Sequence, residues 1–252
     1  MKKTVVVIPA YGQVDYLNET IRTLCDNNHE SMEGVAEVFV RIIDNGTPPE
    51  QHLIAQLKIP PDRPHWHHSI LSLQENMGVT SAWNLGLEYG VREIDADYVM
   101  IANSDLHFGP HVLTDCMNAL DSDDYYAVFP HTYKQGGKLP DDFDAQCVLA
   151  HSEKRPIVNT GGFAGWCFVM SRECLTKIGW LDPRFKLWHQ DSDYLRRLIA
   201  AGHPAMEIRS CLIHHYESRS IKSLPQTFGY KGWIARDRKL LDAKYPKRGA
   251  KT

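Results

Sequence analysis

Tyr98-Val-Met-Ile-Ala-Asn-Ser-Asp105 decides the fold of this chain. An apolar, strand-like run from Tyr98 to Ala102 stops abruptly in Asn103, Ser104 and Asp105. Open α/β sheets place their ligands at the carboxyl ends of buried strands, and a lone carboxylate stands at that position here. It suits a hard divalent cation, which takes oxygen ligands. A plainer use is to cap a helix that starts near Pro110.

The same pattern recurs upstream. Thr4 to Ile8 is a β-branched run followed by the turn Pro9-Ala10-Tyr11-Gly12. Val35 to Ile43 runs into Asp44-Asn45-Gly46, and Ser69 to Leu73 runs into Glu75-Asn76. Between these runs, helical spacing covers Asp15 to Asn28, a short stretch at Gln51 to Leu57, and Thr80 to Val91. Strand, turn and helix repeated in this way predict an α/β fold. It has a mostly parallel central sheet, crossover helices on its faces, and a crevice where the strand ends line up. No Gly-x-Gly-x-x-Gly and no Gly-Lys-Ser/Thr follows any strand, which argues against dinucleotide and P-loop folds.

Downstream, Gly136, Gly137, Pro140 and several acids predict a mobile loop from Tyr133 to Asp144. Trp166 to Met170 and Ala205 to Ile213 read as strands, and Gln190 to Ala201 as a helix. Pro225 to Tyr245 predicts an amphipathic helix packed on the body.

With 252 residues, 43% of them hydrophobic, the chain can bury one sizeable core. The expected division is a domain over 1–219, with a ligand half to about residue 108 and a second half after it, then a basic extension over 220–252. Six scattered cysteines without a Cys-x-x-Cys pair read as reduced packing thiols. No signal peptide and no apolar stretch approaching ~18 residues is visible, so a cytoplasmic location is expected. The net charge of -3 hides a tail with nine basic residues against two acids from Ser220 onward. Such a tail suits phosphate, nucleic acid or an acidic membrane surface, or is simply a solvated helix face.

Five segments stand in order: Ile8-Pro9-Ala10-Tyr11, Ile43-Asp44-Asn45-Gly46, Asn76-Met77-Gly78 with Asn84-Leu85-Gly86, Asn103-Ser104-Asp105, and Gln190-Asp191-Ser192-Asp193 with His214-His215 beyond. Gly161-Gly162 and Gly179-Trp180-Leu181-Asp182 fall at matching places. This order resembles the family 2 glycosyltransferases of the GT-A fold, particularly the rhamnosyltransferase-like branch, from about Thr4 to Ser220.

The resemblance implies inverting transfer of a sugar from a nucleoside-diphosphate sugar, UDP- or dTDP-linked, to an acceptor hydroxyl. Asp105 matches the metal-binding residue of the family's Asp-x-Asp motif, with Asn103 in place of the first acid. The implied cofactor is Mn²⁺ or Mg²⁺, with His214 as a second metal contact. Asp191 matches the catalytic base, and Gln190 stands where the family has Glu. Pro9, Ala10 and Tyr11 would lie beside the nucleobase and Asp44 on the base or ribose. Asn76, Gly78, Asn84, Asn103 and Ser104 would complete the nucleotide-sugar site. Gly161, Gly162, Trp166 and Trp188 would line the donor and acceptor pocket.

The chemistry is coherent, because a leaving diphosphate gathers charge that a cation neutralises and an attacking hydroxyl needs a base. Plainer readings stand beside it. Asp44-Asn45-Gly46 also reads as an ordinary turn, Asn84 as a helix residue bonded to a loop, and Asp191 as an acid on a helix dipole. The tryptophans also read as core, and His65, His67 and His68 read as a surface cluster. A glycan or glycoconjugate is the expected acceptor, with a modified DNA base as the minor alternative. A nucleotidyltransferase would want a Gly-rich basic loop after the first strand, which is missing. Asn103 and Gln190 also leave open a degenerate protein that binds a nucleotide sugar without turnover.

Overall fold

The computed structural model describes residues 1–61, 63–122, 125–217 and 229–246. Strands β1 (Lys2–Ala10), β2 (Ala36–Asp44), β3 (Trp66–Ser72) and β4 (Tyr98–Ala102) pair in parallel in the order β3-β2-β1-β4. The crossovers are α1 (Val14–Met32), the short α2 (Leu53–Gln56) and α3 (Val79–Glu88). Burial of β1 on both faces explains its unbroken apolar run. Val6 and Ile8 pack with Leu17, Ile21 and Leu24 of α1, whereas Val5 and Val7 pack with Trp83 and Leu87 of α3. Gly86 lets α3 close on β1, for a Cβ there would stand 2.7 Å from Val7 Cγ2.

The second half turns the sheet mixed. Beside β4 lie β8 (Cys167–Ser171), β6 (Ala127–Gln135), β9 (Met206–His215) and β5 (Leu106–Phe108), in that order. The pairs β4–β8, β6–β8 and β5–β9 are antiparallel and β6–β9 is parallel. A short β7 (Ile157–Val158) pairs with β9. Helices α4 (Val112–Ser122), α5 (Phe143–Ser152), α6 (Arg172–Lys177), α7 (Gln190–Ala200) and α8 (Tyr230–Lys244) cover this half.

Two expectations need adjustment here. The loop predicted over Tyr133 to Asp144 is shorter, because β6 continues to Gln135 and α5 starts at Phe143. β5 was not anticipated at all, because it is held from outside its own sequence. The Thr20 hydroxyl accepts from Leu106 N and donates to Leu106 O, each at 2.9 Å, and Thr23 accepts from Phe108 N at 3.1 Å. Side chains of α1 thus satisfy a three-residue strand whose own composition signals little.

All six cysteines are buried and free, as packing thiols should be. Among the described residues no helix is long and apolar enough to cross a membrane. Part of the predicted basic extension lies outside the described residues; α8 is its described core.

Candidate active site

The carboxyl ends of β1 and β4 open into a cleft of about 490 Å³. Pro9, Ala10 and Tyr11 line it from β1, and Asn103, Ser104 and Asp105 line it where β4 jogs into β5. The turn after β2 contributes Asn45. Its backbone N–H donates to Ala10 O at 2.8 Å, and its side chain accepts from Met77 N at 3.0 Å and donates to Asn76 Oδ1 at 3.2 Å. Asn76 Oδ1 in turn accepts from Gly78 N at 2.9 Å. Two amides therefore fix the loop that faces the end of β1.

Asp105 is only 4% exposed, and its carbonyl accepts from Tyr216 N at 3.0 Å. His215 Nε2 lies 3.2 Å from Asp105 Oδ1. The His215 ring stacks on Trp166 with centroids 5.0 Å apart, and its Nδ1 has no hydrogen-bond partner among the described residues. The register pairs Leu106 with His215 and His107 with His214. Successive strand residues face opposite sides. His214, the histidine matched by resemblance, is therefore fully buried away from the cleft, and burial pushes its imidazole below the usual value. The structure puts the neighbouring His215 beside Asp105 instead.

Asp191 reaches the cleft from the first turn of α7, which follows His189 in a left-handed conformation (φ 68°). Its Oδ1 accepts from Ser192 N at 2.7 Å. The carboxyl lies directly over Gly165, where a Cβ would sit 2.6 Å from Asp191 Cγ. Asp193, two residues on, turns into the protein, where Arg197 Nε donates to it at 3.0 Å. Trp166 and Trp188 also line the cleft, with Trp188 45% exposed at its lip.

Other residues expected at the site lie outside the cleft lining. Asp44 is buried and its Oδ1 accepts from Thr47 N at 3.0 Å, which is the ordinary turn. Asn84 donates to Leu181 O at 2.9 Å, a helix residue bonded to a loop. Gly78, at φ 89°, makes room for protein rather than ligand, since a Cβ would stand 2.5 Å from Lys186 O. Gly161 and Gly162 are exposed and lie outside the cleft lining, which takes Gly165 from that segment. Asn45 was legible in its own motif; strand alternation says that His214 and His215 face opposite sides, and the pairing of β9 with β5 decides which one meets Asp105. Glu217 and Trp233 line the cleft without any advance signal.

The described lining holds Asp105, Asp191 and Glu217 but no lysine or arginine. No cluster of three His, Cys, Asp or Glu able to hold a metal occurs among the described residues. A cation here would rest on Asp105, His215 and oxygens of the ligand. Mg²⁺ suits such a sparse set, since it is bound through one or two carboxylates plus substrate phosphates, and imidazole suits Mn²⁺ better than Mg²⁺. The buried Asp105 carboxylate with His215 Nε2 beside it fits that role.

The model of the family described as Glycosyl transferase family 2 matches residues 5–179. Asp191 and His215 lie beyond that stretch. The fold is similar to that in the crystal structure of GalNAc-T7 with UDP, GalNAc and Mn²⁺, with a TM-score of 0.60 and 12% identity. The match covers 85% of this chain and 44% of that one, so this chain spans less than half its length. The likeness is one of fold, the GT-A arrangement of a curled central sheet flanked by helices. No curated protein matches the chain in sequence.

Proposed function

The chain belongs to glycosyl transferase family 2, and from that premise we propose an inverting transferase. It moves a sugar from a nucleoside-diphosphate sugar to an acceptor hydroxyl, with Asp191 as general base and Asp105 with His215 at the diphosphate. One observation carries this reading: a single cleft collects the ends of β1 and β4, the buried Asp105–His215 pair and the carboxylate of Asp191. The structurally similar GalNAc-T7 was crystallised with UDP and Mn²⁺, which supports a UDP sugar and a divalent cation.

Asp191 stands on a helix N-terminus, where the dipole favours its anion. From there it accepts the proton of the acceptor oxygen as that oxygen attacks the anomeric carbon. A cation held by Asp105 and His215 would supply countercharge to the departing diphosphate. Asn45 and Asn76 hold the loop beside the nucleotide, and Tyr11 offers a ring to its base. Gln190, 6% exposed in the cleft lining, has an Oε1 with no partner among the described residues, which suits a sugar hydroxyl. Asp44, Asn84, Gly78, Gly161 and Gly162 then act as supports for the site's loops rather than as ligand contacts.

A glycan or glycoconjugate acceptor fits a cleft whose described lining carries carboxylates and indoles and no cationic side chain. A polyanion such as DNA is disfavoured there by like charge. Calorimetry of UDP and dTDP with and without Mn²⁺, on the wild type and Asp105→Ala, tests the donor half. Release of UDP or dTDP from a panel of nucleotide sugars, on the wild type and Asp191→Asn, tests the rest. Metal-linked binding lost in the first variant and turnover lost in the second are expected. Full turnover in Asp191→Asn would sink the mechanism, and binding without turnover in the wild type would favour a degenerate binding protein.

A further inference from the structure

Helix α8 lies outside the family-matched stretch and has a mostly exposed, basic surface, yet it buries one carboxylate completely. Asp237 accepts from Lys186 N at 3.0 and 3.1 Å, from Leu187 N at 2.8 Å and from Trp188 N at 3.0 Å. Three successive backbone N–H groups converging on one anion form a nest. The anion is normally a ligand; here it is the protein's own side chain.

The segment held in this way matters. Lys186 O accepts from Val79 N at 2.8 Å, which ties it to the loop on the nucleotide side. Trp188 stands at the lip of the cleft, and three residues later comes Asp191. The far end of α8 grips α7 itself, with Tyr245 donating to Asp193 Oδ1 at 2.9 Å and Lys244 Nζ 2.6 Å from the same oxygen. The helix buries only Asp237 and Leu241 among its described residues, so polar contacts rather than apolar area seat it. It also places Trp233 in the wall of the cleft.

We propose that Asp237 is a positioning residue of the transfer reaction: by holding the amides of residues 186–188 it sets the entry into α7 and hence the placement of Asp191. The C-terminal helix is on this view part of the catalytic apparatus rather than an appendage. The inference rests on the transferase reading above. A staple that only stabilised the fold would change turnover in step with the folded fraction. A positioning residue changes turnover in protein that is folded and still binds nucleotide.

The experiment compares the wild type, Asp237→Asn and Asp242→Asn. Asp242 is on the same helix, exposed and paired with Arg238. Circular dichroism reads the fold, calorimetry with UDP and Mn²⁺ reads nucleotide binding, and UDP release from the best nucleotide sugar reads turnover. Asp237→Asn is expected to keep UDP affinity within about threefold while kcat falls at least about tenfold, and Asp242→Asn is expected to match the wild type. Amide exchange at residues 186–188 should quicken only in Asp237→Asn. Equal kcat in the two variants, or a loss that simply follows the unfolded fraction, overturns the proposal. If Asp237→Asn does not fold, Asp237→Glu, which keeps the charge but displaces the carboxylate from the three amides, carries the same test, and unchanged kcat there overturns it. A wild type that neither binds UDP nor turns over any nucleotide sugar refutes the transferase reading, and the positioning role falls with it.

Discussion

Gly165→Ala is the sharpest probe of the assignment of Asp191. Gly165 has no left-handed φ to protect, so alanine meets no backbone strain there. The atoms nearest the new methyl would all belong to Asp191, with Cγ at 2.6 Å and Cβ and Oδ2 closer still, whereas ordinary contact begins near 3.4 Å. The nearest of these is Asp191 Cβ, which no rotamer change moves, so the backbone at the start of α7 must retreat by about 1.2 Å and carry the carboxyl with it. Misplacing a reacting group by about 1 Å costs about a hundredfold in rate, which is about 2.7 kcal/mol of transition-state stabilisation. The expected result is therefore a kcat about a hundredfold lower, with UDP–Mn²⁺ affinity unchanged by calorimetry. Turnover by nucleotide-sugar hydrolysis or transfer, followed as UDP release, is the assay. Wild-type turnover in a folded Gly165→Ala protein would mean that Asp191 can leave its place without consequence, and the general-base assignment would be refuted.

Other outcomes follow from the same geometry. His215→Ala should abolish the Mn²⁺ dependence of UDP binding, whereas His214→Ala should lower the melting temperature and leave that dependence intact; calorimetry and thermal melts separate the two. Gly86→Ala should destabilise the fold by about 1–3 kcal/mol in urea titrations, because α3 must lift off Val7 to admit a methyl. Asp182 is held well below the usual carboxylate range, first by the Arg184 guanidinium and then by Lys244 of α8, against the opposing effect of burial. A depressed folded-state value means that its stabilisation is complete above the unfolded value of 3.8 and drains away as pH falls below it. Asp182→Asn should therefore flatten the loss of stability between neutral pH and acid, measured by denaturant titration at several pH values.

The first half of this fold was legible because its signals are local. The central parallel strands β1 and β4 are apolar runs that end in turn residues, and β2 and β3 likewise run into turns, so strand ends and cleft could be placed without knowing any contact. Pro9, Tyr11, Asn76, Asn103 and Asp105 accordingly lie where their motifs put them, around one cavity. The residues that lie outside the cleft lining share a cause. Motif matching assigns a role to a position but does not say which way the side chain faces. His214 and His215 are adjacent, and only pairing β9 against β5 decides which one meets Asp105. Gly161 and Gly165 belong to the same glycine-rich segment, and only the approach of α7 reveals which one makes room for the carboxylate.

The second half was less legible because its contacts are distant in sequence. Asp237 reads as one acid in a basic helix, and its partners are amides fifty residues away, which carry no side-chain signature. A sequence shows the charge of such a residue but not that three backbone donors are waiting for it. The donor side of the cleft is built from strand ends, which repeat across many α/β folds. The opposite wall of the cleft is built from α7, α8 and the loop between β7 and β8, and buried polar contacts such as those of Asp237 and Asp193 tie these elements together. That difference is the physical reason why the strand-end residues of the cleft were legible in the sequence, whereas Glu217, Trp233 and the hold of Asp237 on residues 186–188 were not.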